Sequence, residues 1–523
     1  MKYFFPLVLF FLLAAIPLFS QEALSPTGDG SPEDDSTLFV IVDYKFTVKG
    51  ITRPFALLYR LVENGEFRKG ETIKGKTNLE KHISNITQIY INQLVLKDNA
   101  EVSYSTDGRN EDGTYPVTIM IKVQDSFNII ALPLPYYKNS VFNITIKARD
   151  YNFLGTMKSL RVDLGYGYNG DEDQPHSFLF GAYFDMPFQF LGYYWNAIFD
   201  NIVQLRVDAP VYYENTTGVS MDLPFGSTTF TFGLNERMYL NRENSGWAKA
   251  AGYGAYQDGL YMASNPYVSW RIPTGLTVSQ YGDLTYTPSV SSTFNHEFPN
   301  LPLAADRKGP FMNFNHSLGF GNINWLGNYR EGLSFSVGNS YQYDFNRNVY
   351  DISFNFTGIG HHVFKKFFAA SARLMYTYLY SSDVTYTGSY VSYNLRGIAD
   401  TYLPAYQMAT LNLDFPFRVF AFTPSKWFNT DKLRFFDLEM HISPVIDLAM
   451  YRQRSPDGGK ITYGPAEYAV TGGLELIIFS SFMRSLYVRL GFAIDIKEFL
   501  KARPIRIPGG EHREIYFIMG HFY

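Results

Sequence analysis

Few residues of this chain have the types and spacing that catalysis or metal binding needs. His361 and His362 are the only adjacent histidine pair. Neighbouring residues on a strand point to opposite faces, so the pair cannot readily hold one metal ion. The chain has no G-x-S-x-G elbow, no H-E-x-x-H motif, no phosphate-binding loop and no cysteine. The sequence therefore indicates a protein that is not an enzyme and needs no cofactor or metal.

One charged residue is a stronger candidate for a functional role. Arg396 lies in the segment 393–398, inside a long polar and aromatic connection in the second half of the chain. A guanidinium enclosed in a protein lumen can make a bidentate pair with a carboxylate and hold a long loop in place. Glu439 and Glu475 are acids on strands predicted after the connection. The alternative is an ordinary solvated loop arginine.

The elements that must position Arg396 are predicted to be strands of a barrel. From about residue 141, segments near ten residues long alternate apolar and polar positions, as a lipid-facing wall requires. Aromatic residues make up 18% of the chain, which suits the aromatic girdles of such barrels. At roughly 24 residues per strand and loop, residues 142–523 hold about 16 antiparallel strands. A large soluble sandwich would alternate in the same way, but the aromatic content and the N-terminal segment oppose it.

The N-terminal part is predicted to contain three units. Residues 1–20 have a basic start and an apolar stretch, as in a secretory signal peptide; a membrane anchor is the alternative. Residues 21–37 form an acidic linker that is predicted to be disordered. Residues 38–128 show the order β-α-α-β-β, with helical spacing in the first half and the alternation of Val117, Ile119 and Ile121 in the second.

The chain resembles the BamA/TamA superfamily of outer-membrane assembly and secretion barrels. The N-terminal unit resembles a single POTRA module, and Asp150, Asn152 and Gly155 resemble the D-x-N-x-x-G motif that opens the barrel. A terminal strand ending in aromatics resembles the signal read by the barrel-assembly machinery. The segment Leu395, Arg396, Gly397 and Ile398 resembles the (V/I)RG(F/Y) loop that folds into the lumen. The residues of the terminal signal and seam are Gly520, Phe522 and Tyr523.

The resemblance implies a partner for the lumen loop. Arg396 would pair with Asp447 on the barrel wall, in the position of the family's F-x-D-x-G strand. This chain departs from the family pattern at Ile398, where an aromatic is usual, and at Ala449, where glycine is usual. The packing of the loop is therefore less firmly implied than the pairing of Arg396 with Asp447.

The fold class implied is an α+β periplasmic POTRA domain followed by an all-β transmembrane barrel in the outer membrane of a diderm bacterium. The function implied is insertion or translocation of β-rich clients, captured by a POTRA sheet edge and passed to a lateral seam between the first and last strands. Partners would be unfolded or extended outer-membrane or secreted proteins, outer-membrane lipid, and accessory periplasmic or lipoprotein subunits. The net charge of -4 gives no reason to expect nucleic-acid binding.

Two other functions remain open at this point. A dedicated transporter for one secreted partner fits a single POTRA-like module well, because assembly proteins of the family often carry several. A passive porin or structural barrel is the third possibility. A porin has no need of the N-terminal β-α-α-β-β unit, so that unit discriminates against this reading.

Overall fold

A computed structural model of the chain describes residues 36–138, 141–169, 176–206, 211–241, 260–278, 281–297, 308–382, 389–398, 403–457, 460–480, 482–484, 487–501 and 512–519. The expected signal peptide (1–20) and all but the last two residues of the expected linker (21–37) lie outside this range. Gly520, Phe522 and Tyr523 also lie outside the described residues.

The N-terminal domain is a four-stranded sheet covered by two helices. Its strands have the order β2-β1-β4-β3, and β1 and β4 run parallel. Inward residues of β4 alternate with outward ones and pack against both helices, which gives the domain one apolar core. The domain matches the predicted POTRA-like order with one short strand added between the helices. Its elements are β1 (Leu38–Lys49), α1 (Pro54–Glu63), β2 (Thr72–Lys74), α2 (Lys76–Ile91), β3 (Glu101–Thr106) and β4 (Tyr115–Gln124).

Most of the described chain after this domain forms one antiparallel sheet that closes into a barrel. The fold class predicted from the sequence is therefore confirmed. The barrel strands are β5 (Ile129–Lys138), β6 (Val141–Asp150), β7 (Leu160–Asn169), β8 (His176–Phe190), β9 (Tyr193–Arg206), β10 (Tyr212–Phe225), β11 (Thr228–Leu240), β12 (Leu260–Thr277), β13 (Asp283–His296), β14 (Phe311–Leu326), β15 (Tyr329–Asp344), β16 (Val349–Lys365), β17 (Phe368–Ser381), β20 (Gln407–Asp414), β21 (Phe417–Phe422), β22 (Leu438–Arg452), β25 (Glu467–Ser480), β26 (Tyr487–Asp495) and β27 (Arg513–Met519).

The described barrel has more strands than the estimate of about 16. It contains 19 strand segments, and β20 and β21 occupy one position because both pair with β17 and β22 on either side of Pro416. Counted in this way, the wall has 18 positions. The estimate was low because many turns are very short. Leu191 and Gly192, for example, are the only residues between β8 and β9.

The barrel begins earlier in the chain than expected. β5 starts at Ile129 and is paired with β6, so the expected start at residue 142 is corrected to Ile129. Pro133 and Pro135 explain the error, because a proline cannot donate to a strand ladder and such a run does not resemble a strand in the middle of a sheet.

The wall has an apolar outer face and a polar inner face. On β22, Ile446 and Leu448 are exposed on the outside, whereas Asp447 between them is 1% exposed and points into the lumen. This alternation is the one that a lipid-facing barrel wall requires. No helix among the described residues is long and apolar enough to span a membrane.

The POTRA-like domain packs against one end of the barrel, here called the near end; the opposite end is the far end. The Arg484 guanidinium, in the turn between β25 and β26, donates to the carbonyls of Ile91 and Leu96 at 3.1 and 3.0 Å. Burial lowers the pKa of Arg484, although a guanidinium remains charged at neutral pH. Leu94 packs beside Tyr487 at the barrel mouth. The domain thus lies across the near end of the lumen.

Smaller elements complete the described fold. At the near end, α3 (Pro424–Trp427) and a 3₁₀ turn (Asp431–Phe436) join β21 to β22. At the far end, α4 (Ile496–Lys501) follows β26, and the hairpin of β23 (Arg454–Asp457) and β24 (Lys460–Tyr463) lies between β22 and β25. The far-end connection between β17 and β20 contains β18 (Ser389–Tyr390), a 3₁₀ turn (Val391–Asn394) and β19 (Pro404–Ala405).

Candidate functional site

The connection between β17 and β20 enters the lumen and places Arg396 against the wall. Arg396 is 1% exposed, whereas connecting loops usually lie on the surface. Leu395 and Ile398, on either side, are each 2% exposed and pack in one cluster with Met408, Ala449 and other wall residues. Ile398 and Ala449, where this chain departs from the family pattern, therefore belong to the same apolar contact.

The structure brings Arg396 and Asp447 together. The backbone N–H of Arg396 donates to Asp447 Oδ2 at 2.8 Å, and its Nε donates to the same oxygen at 2.9 Å. Arg396 Nη2 also donates to Asp447 Oδ1, which makes the pair bidentate. Because both side chains are 1% exposed, neither charge has access to solvent. The pair fixes both the side chain and the backbone of the loop.

Two further carboxylates and a second arginine extend this pair. Arg396 Nη1 donates to Asp414 Oδ1 at 2.5 Å and to Glu475 Oε1 at 3.3 Å. Arg489 Nη2 donates to Asp414 Oδ2 at 3.1 Å, and Arg489 Nε donates to Glu475 Oε2 at 2.8 Å. Two guanidinium groups therefore share three buried carboxylates. We call Arg396, Asp414, Asp447, Glu475 and Arg489 the lumen cluster.

Glycines allow the last strand and the loop to reach this cluster. Glu475, Gly491 and Tyr516 lie side by side on β25, β26 and β27. The Tyr516 ring lies so close to Gly491 that a Cβ there would be 2.2 Å from it. Gly397 has a φ of +89°, and a Cβ on it would lie 2.9 Å from the backbone of Ala493. Both positions therefore require glycine.

Two hydrogen bonds then join β27 to the cluster and the loop. The Tyr516 hydroxyl donates to Glu475 Oε1 at 2.6 Å. The N–H of Gly397 donates to Glu514 Oε2 at 2.9 Å. The last described barrel strand is thereby tied to the loop that carries Arg396.

Asp150, Asn152 and Gly155 lie at the junction between the POTRA-like domain and the barrel: Asp150 ends β6, and the other two stand in the near-end connection that follows. The Asn152 amide donates to Thr52 Oγ1 at 2.7 Å and to Asp125 Oδ2 at 3.2 Å. Asp150 Oδ1 accepts from the N–H of Asn152 at 3.0 Å. At Gly155, a Cβ would lie 2.0 Å from the carbonyl oxygen of Ile51, so glycine permits this close approach. The motif holds the two domains together.

The backbone nitrogens of two prolines of β5 point away from β6. Just before β5, the N–H of Tyr151 donates to the Asn128 carbonyl at 2.9 Å, and the register of β5 with β6 continues from this pair. Hydrogen-bonded pairs alternate in an antiparallel ladder, so even-numbered residues of β5 bond to β6. Odd-numbered residues face the other neighbour, β27. Pro133 and Pro135 are odd-numbered and have no N–H, so β5 lacks two donors towards β27.

The histidine pair does not converge on a shared ligand. His361 Nδ1 lies 2.6 Å from Ser371 Oγ, and His362 Nδ1 lies 3.0 Å from Glu331 Oε1. Among the described residues, no group of three or more His, Cys, Asp or Glu side chains has the geometry to hold a metal ion.

Sequence reasoning named some members of this site and missed others. The sequence names Glu475 and Glu439 as wall acids besides Asp447. Glu475 belongs to the lumen cluster, whereas Glu439 Oε1 lies 2.7 Å from His441 Nε2, away from Arg396. Asp414 and Arg489 occupy polar positions of alternating strands, so their inward direction could be predicted. Their contacts could not, because they depend on strand register. The roles of Tyr516 and Glu514 were missed for the same reason.

Known structures offer a partial likeness to this fold. No protein-family model and no curated protein matches the chain. Matching solved structures include "CdiB from Acinetobacter baumannii", 12% identical, covering 92% of this chain and 73% of that one, with a TM-score of 0.45. CdiB from Escherichia coli is 9% identical, with coverages of 97% and 94% and a TM-score of 0.38. BamA from Haemophilus ducreyi lacking POTRA domains 1-3 is 13% identical, with coverages of 92% and 83% and a TM-score of 0.32.

BamA belongs to the superfamily that the sequence resembles. All three TM-scores are below 0.5, so the likeness carries no argument about residues or function. The geometry of the chain itself defines the class of site: a closed barrel with a buried loop in its lumen and an α/β domain across one mouth.

Proposed function

We propose that this chain is a member of the BamA/TamA superfamily that inserts or translocates β-rich client proteins at the outer membrane, with the POTRA-like domain in the periplasm. The observation that carries the proposal is the pair of prolines on β5 that face β27. A passive pore has no use for a weakened junction between its first and last strands, whereas a barrel that admits client strands sideways needs one.

The energy of the junction supports this proposal. A ladder hydrogen bond contributes about 0.5–1.5 kcal/mol to stability. β5 offers no donor at Pro133 and Pro135, so its junction with β27 is weaker than a ladder of the same length without proline. The junction of β5 and β27 is here called the seam. A client strand with a free edge could replace β27 beside β5 at a lower energetic cost than elsewhere in the wall.

The POTRA-like domain offers a site for first contact with a client. β2 is an edge strand, with only β1 beside it. Its residues Thr72, Ile73 and Lys74 line a cavity of about 1300 Å³ that near-end barrel residues, including Asp283 and Asn324, also line. An extended client segment that pairs with β2 would therefore lie beside the barrel mouth. Backbone pairing of this kind makes few demands on client sequence.

The lumen cluster keeps the resting barrel closed and rigid. Arg396 holds the loop to β22, and the bonds of Tyr516 and Glu514 connect β27 to the same assembly. The strand on one side of the seam is thus held by the loop, whereas β5 on the other side lacks donors. This asymmetry favours movement of β5 relative to β27.

A reversible covalent lock tests the proposal. The chain has no cysteine, so introduced pairs are unambiguous. Cysteines are placed at Ala131 and at either Ile515 or Phe517, which are exposed positions of the two neighbouring seam strands, and the pair that forms a disulfide on oxidation supplies the lock. Cells depleted of the native protein would carry the locked variant, and quantitative proteomics of their outer membranes would report client levels. We expect the locked variant to complement only after reduction.

The matched control is a cysteine pair at Ala131 and Ala148, which lie opposite each other on β5 and β6. It joins strands that do not need to separate, so it should complement in both redox states. Full complementation by the oxidised seam variant would disprove the seam mechanism. In the depleted cells, broad loss of barrel proteins indicates general assembly, and loss of one secreted protein indicates a dedicated transporter. Altered small-solute uptake alone indicates a porin.

A further inference from the structure

The near-end connection between β21 and β22, residues 423–437, has an unusual surface. Four large aromatic side chains of this segment are more than half exposed: Trp427 at 60%, Phe428 at 70%, Phe435 at 60% and Phe436 at 53%. Most near-end turns of the barrel are much shorter, such as the two residues between β14 and β15. A segment of this length with such rings exposes a large apolar surface.

The segment has a defined conformation. Asp437 is 4% exposed, and its Oδ1 accepts from the N–H of Ser425 at 3.0 Å, while its Oδ2 accepts from the Ser425 hydroxyl. The N–H of Thr430 donates to the Ser425 carbonyl at 2.9 Å. These hydrogen bonds connect the two ends of the segment, so the segment has a fixed conformation that holds the rings outward.

The exposed rings continue the lipid-facing wall. Phe422 lies opposite Leu438, and Phe417 opposite Ile442, on the outer face of the sheet. The Trp427 ring packs edge-on against Phe422 with centroids 5.1 Å apart. The stacked pair Phe368 and Phe417, with centroids 4.5 Å apart, extends the same aromatic band to β17. The segment is therefore continuous with the surface that contacts acyl chains.

The charges around these rings are mainly positive. Lys426 and Lys432 are exposed within the segment, and Arg434 is half-buried. Lys365, the last residue of β16, and Lys366, in the turn that follows it, are also exposed. The segment contains three basic residues and two carboxylates, of which Asp437 is buried and bonded to Ser425. Aromatic rings beside lysines are typical of the membrane interface, where basic groups attract anionic headgroups.

We propose that residues 423–437 form a binding site for anionic phospholipid at the near-end leaflet of the membrane. Trp427, Phe428, Phe435 and Phe436 insert at the level of the upper acyl chains. Lys426, Lys432 and Arg434 contact the headgroup phosphates, and Lys365 and Lys366 add to the positive potential.

This lipid site lies close to the near-end start of β5, one of the two seam strands. Phe435 contacts Phe482 with ring centroids 5.4 Å apart, and Phe482 contacts Phe127 with centroids 5.0 Å apart. Phe127 stands two residues before β5. These ring contacts therefore connect the lipid-binding segment to the residues just before the first barrel strand.

Quenching of Trp427 by brominated lipid tests the proposal. The chain has five tryptophans, so the other four are replaced by phenylalanine, and the full chain is reconstituted in vesicles. Two vesicle compositions serve as probes. In the first, phosphatidylcholine is brominated near the headgroup end of its acyl chains; in the second, unbrominated phosphatidylcholine is mixed with phosphatidylglycerol brominated at the same position. We expect strong quenching by both and at least twofold stronger quenching per brominated molecule for phosphatidylglycerol.

A charge variant tests the role of the cations. Lys426→Gln, Lys432→Gln and Arg434→Gln together should remove the preference for phosphatidylglycerol and keep the quenching by phosphatidylcholine. The matched control is Lys45→Gln, Lys49→Gln and Lys122→Gln, three exposed changes on the POTRA-like domain, which should keep the preference.

Two results would overturn the proposal. Unquenched Trp427 emission would show that the segment faces water or a protein partner. Equal quenching by the two lipids before the charge change would exclude the anionic site. Heat-modifiable gel mobility shows whether the single-tryptophan chain folds. If it does not, Trp427→Phe is made in the otherwise unchanged chain, and the decrease in lipid-quenched fluorescence that this change causes gives the contribution of Trp427.

Discussion

The hydroxyl of Tyr516 donates to Glu475 Oε1 at 2.6 Å across Gly491, which connects the last described strand to the lumen cluster. Removing this hydroxyl by Tyr516→Phe leaves a buried carboxylate with one donor fewer. A hydrogen bond to a charged group contributes about 1.5–3 kcal/mol, so we expect a loss of that size. Urea unfolding of the barrel in vesicles measures it.

The control for this change is Tyr341→Phe, because the Tyr341 ring is 41% exposed on β15. It should change stability by no more than about 0.5 kcal/mol, as surface substitutions usually do. An equal loss in both variants would show that the Tyr516 hydroxyl has no particular role in holding β27.

The lumen cluster predicts strong coupling between Arg396 and Asp447. Arg396→Ala leaves Asp414, Asp447 and Glu475 buried with only Arg489 to balance them. Breaking a buried pair on one side typically costs about 3–5 kcal/mol. Asp447→Ala leaves Arg396 with two other carboxylates, so its cost should be smaller. The double variant should lose less than the sum of the single losses, by about 0.5–3 kcal/mol.

A double-mutant cycle by urea unfolding in vesicles checks this coupling, and Arg237→Ala, an exposed change on β11, serves as control. Additive losses would mean that the two groups act independently. Arg396→Lys should not restore stability, because an ammonium cannot reproduce the bidentate contact of a guanidinium.

Gly397 predicts a separate effect on lumen closure. Gly397→Ala places a Cβ 2.9 Å from the backbone of Ala493 at a φ of +89°, so the loop must shift away from the wall. We expect larger and more frequent conductance steps in planar bilayers. Gly358→Ala is the matched control, since a Cβ there meets only the Phe356 ring at an ordinary 3.7 Å. Identical conductance in both variants would show that the loop does not close the lumen.

The seam prolines predict a gain of strand pairing when they are replaced. Pro133→Ala with Pro135→Ala supplies two N–H donors towards β27, each hydrogen bond contributing about 0.5–1.5 kcal/mol. Amide hydrogen exchange of β27 should become slower, and complementation in depleted cells should become weaker. The control, Pro266→Ala in β12, changes a strand proline far from the seam. Unchanged exchange in β27 would contradict the assigned direction of the two prolines.

The sequence predicts the faces of the strands better than their partners. Alternation alone indicates that Arg489 points into the lumen beside outward-facing Leu490, and the structure agrees. A contact such as that of Arg489 with Asp414 depends on the register of β26, β25, β22 and β20, which a one-residue slip would invert. No local pattern fixes that register across four strands.

Local signals also explain the error at the start of the barrel. Pro133 and Pro135 argue against a strand, since proline is confined to edges, first residues and bulges of sheets. β5 lies between β27 and β6 in the closed barrel, and in the proposed mechanism it becomes an edge when the seam opens. The resemblance to a known family supplied Asp447 as a partner of Arg396, and it did not supply Asp414 or Arg489. The contacts of those two residues with Arg396 and Glu475 depend on the pairing of strands that are distant in the sequence.

The missing donors of β5 also have a consequence for copies of this chain that meet in the membrane. If the seam opens as proposed, it exposes the edge of β5, and an exposed edge can pair with another barrel and aggregate. At Pro133 and Pro135 that edge presents carbonyl groups without N–H groups, so a second β5 would find acceptors and no donors there. The same feature that weakens the closed barrel thus protects the open one against pairing with itself.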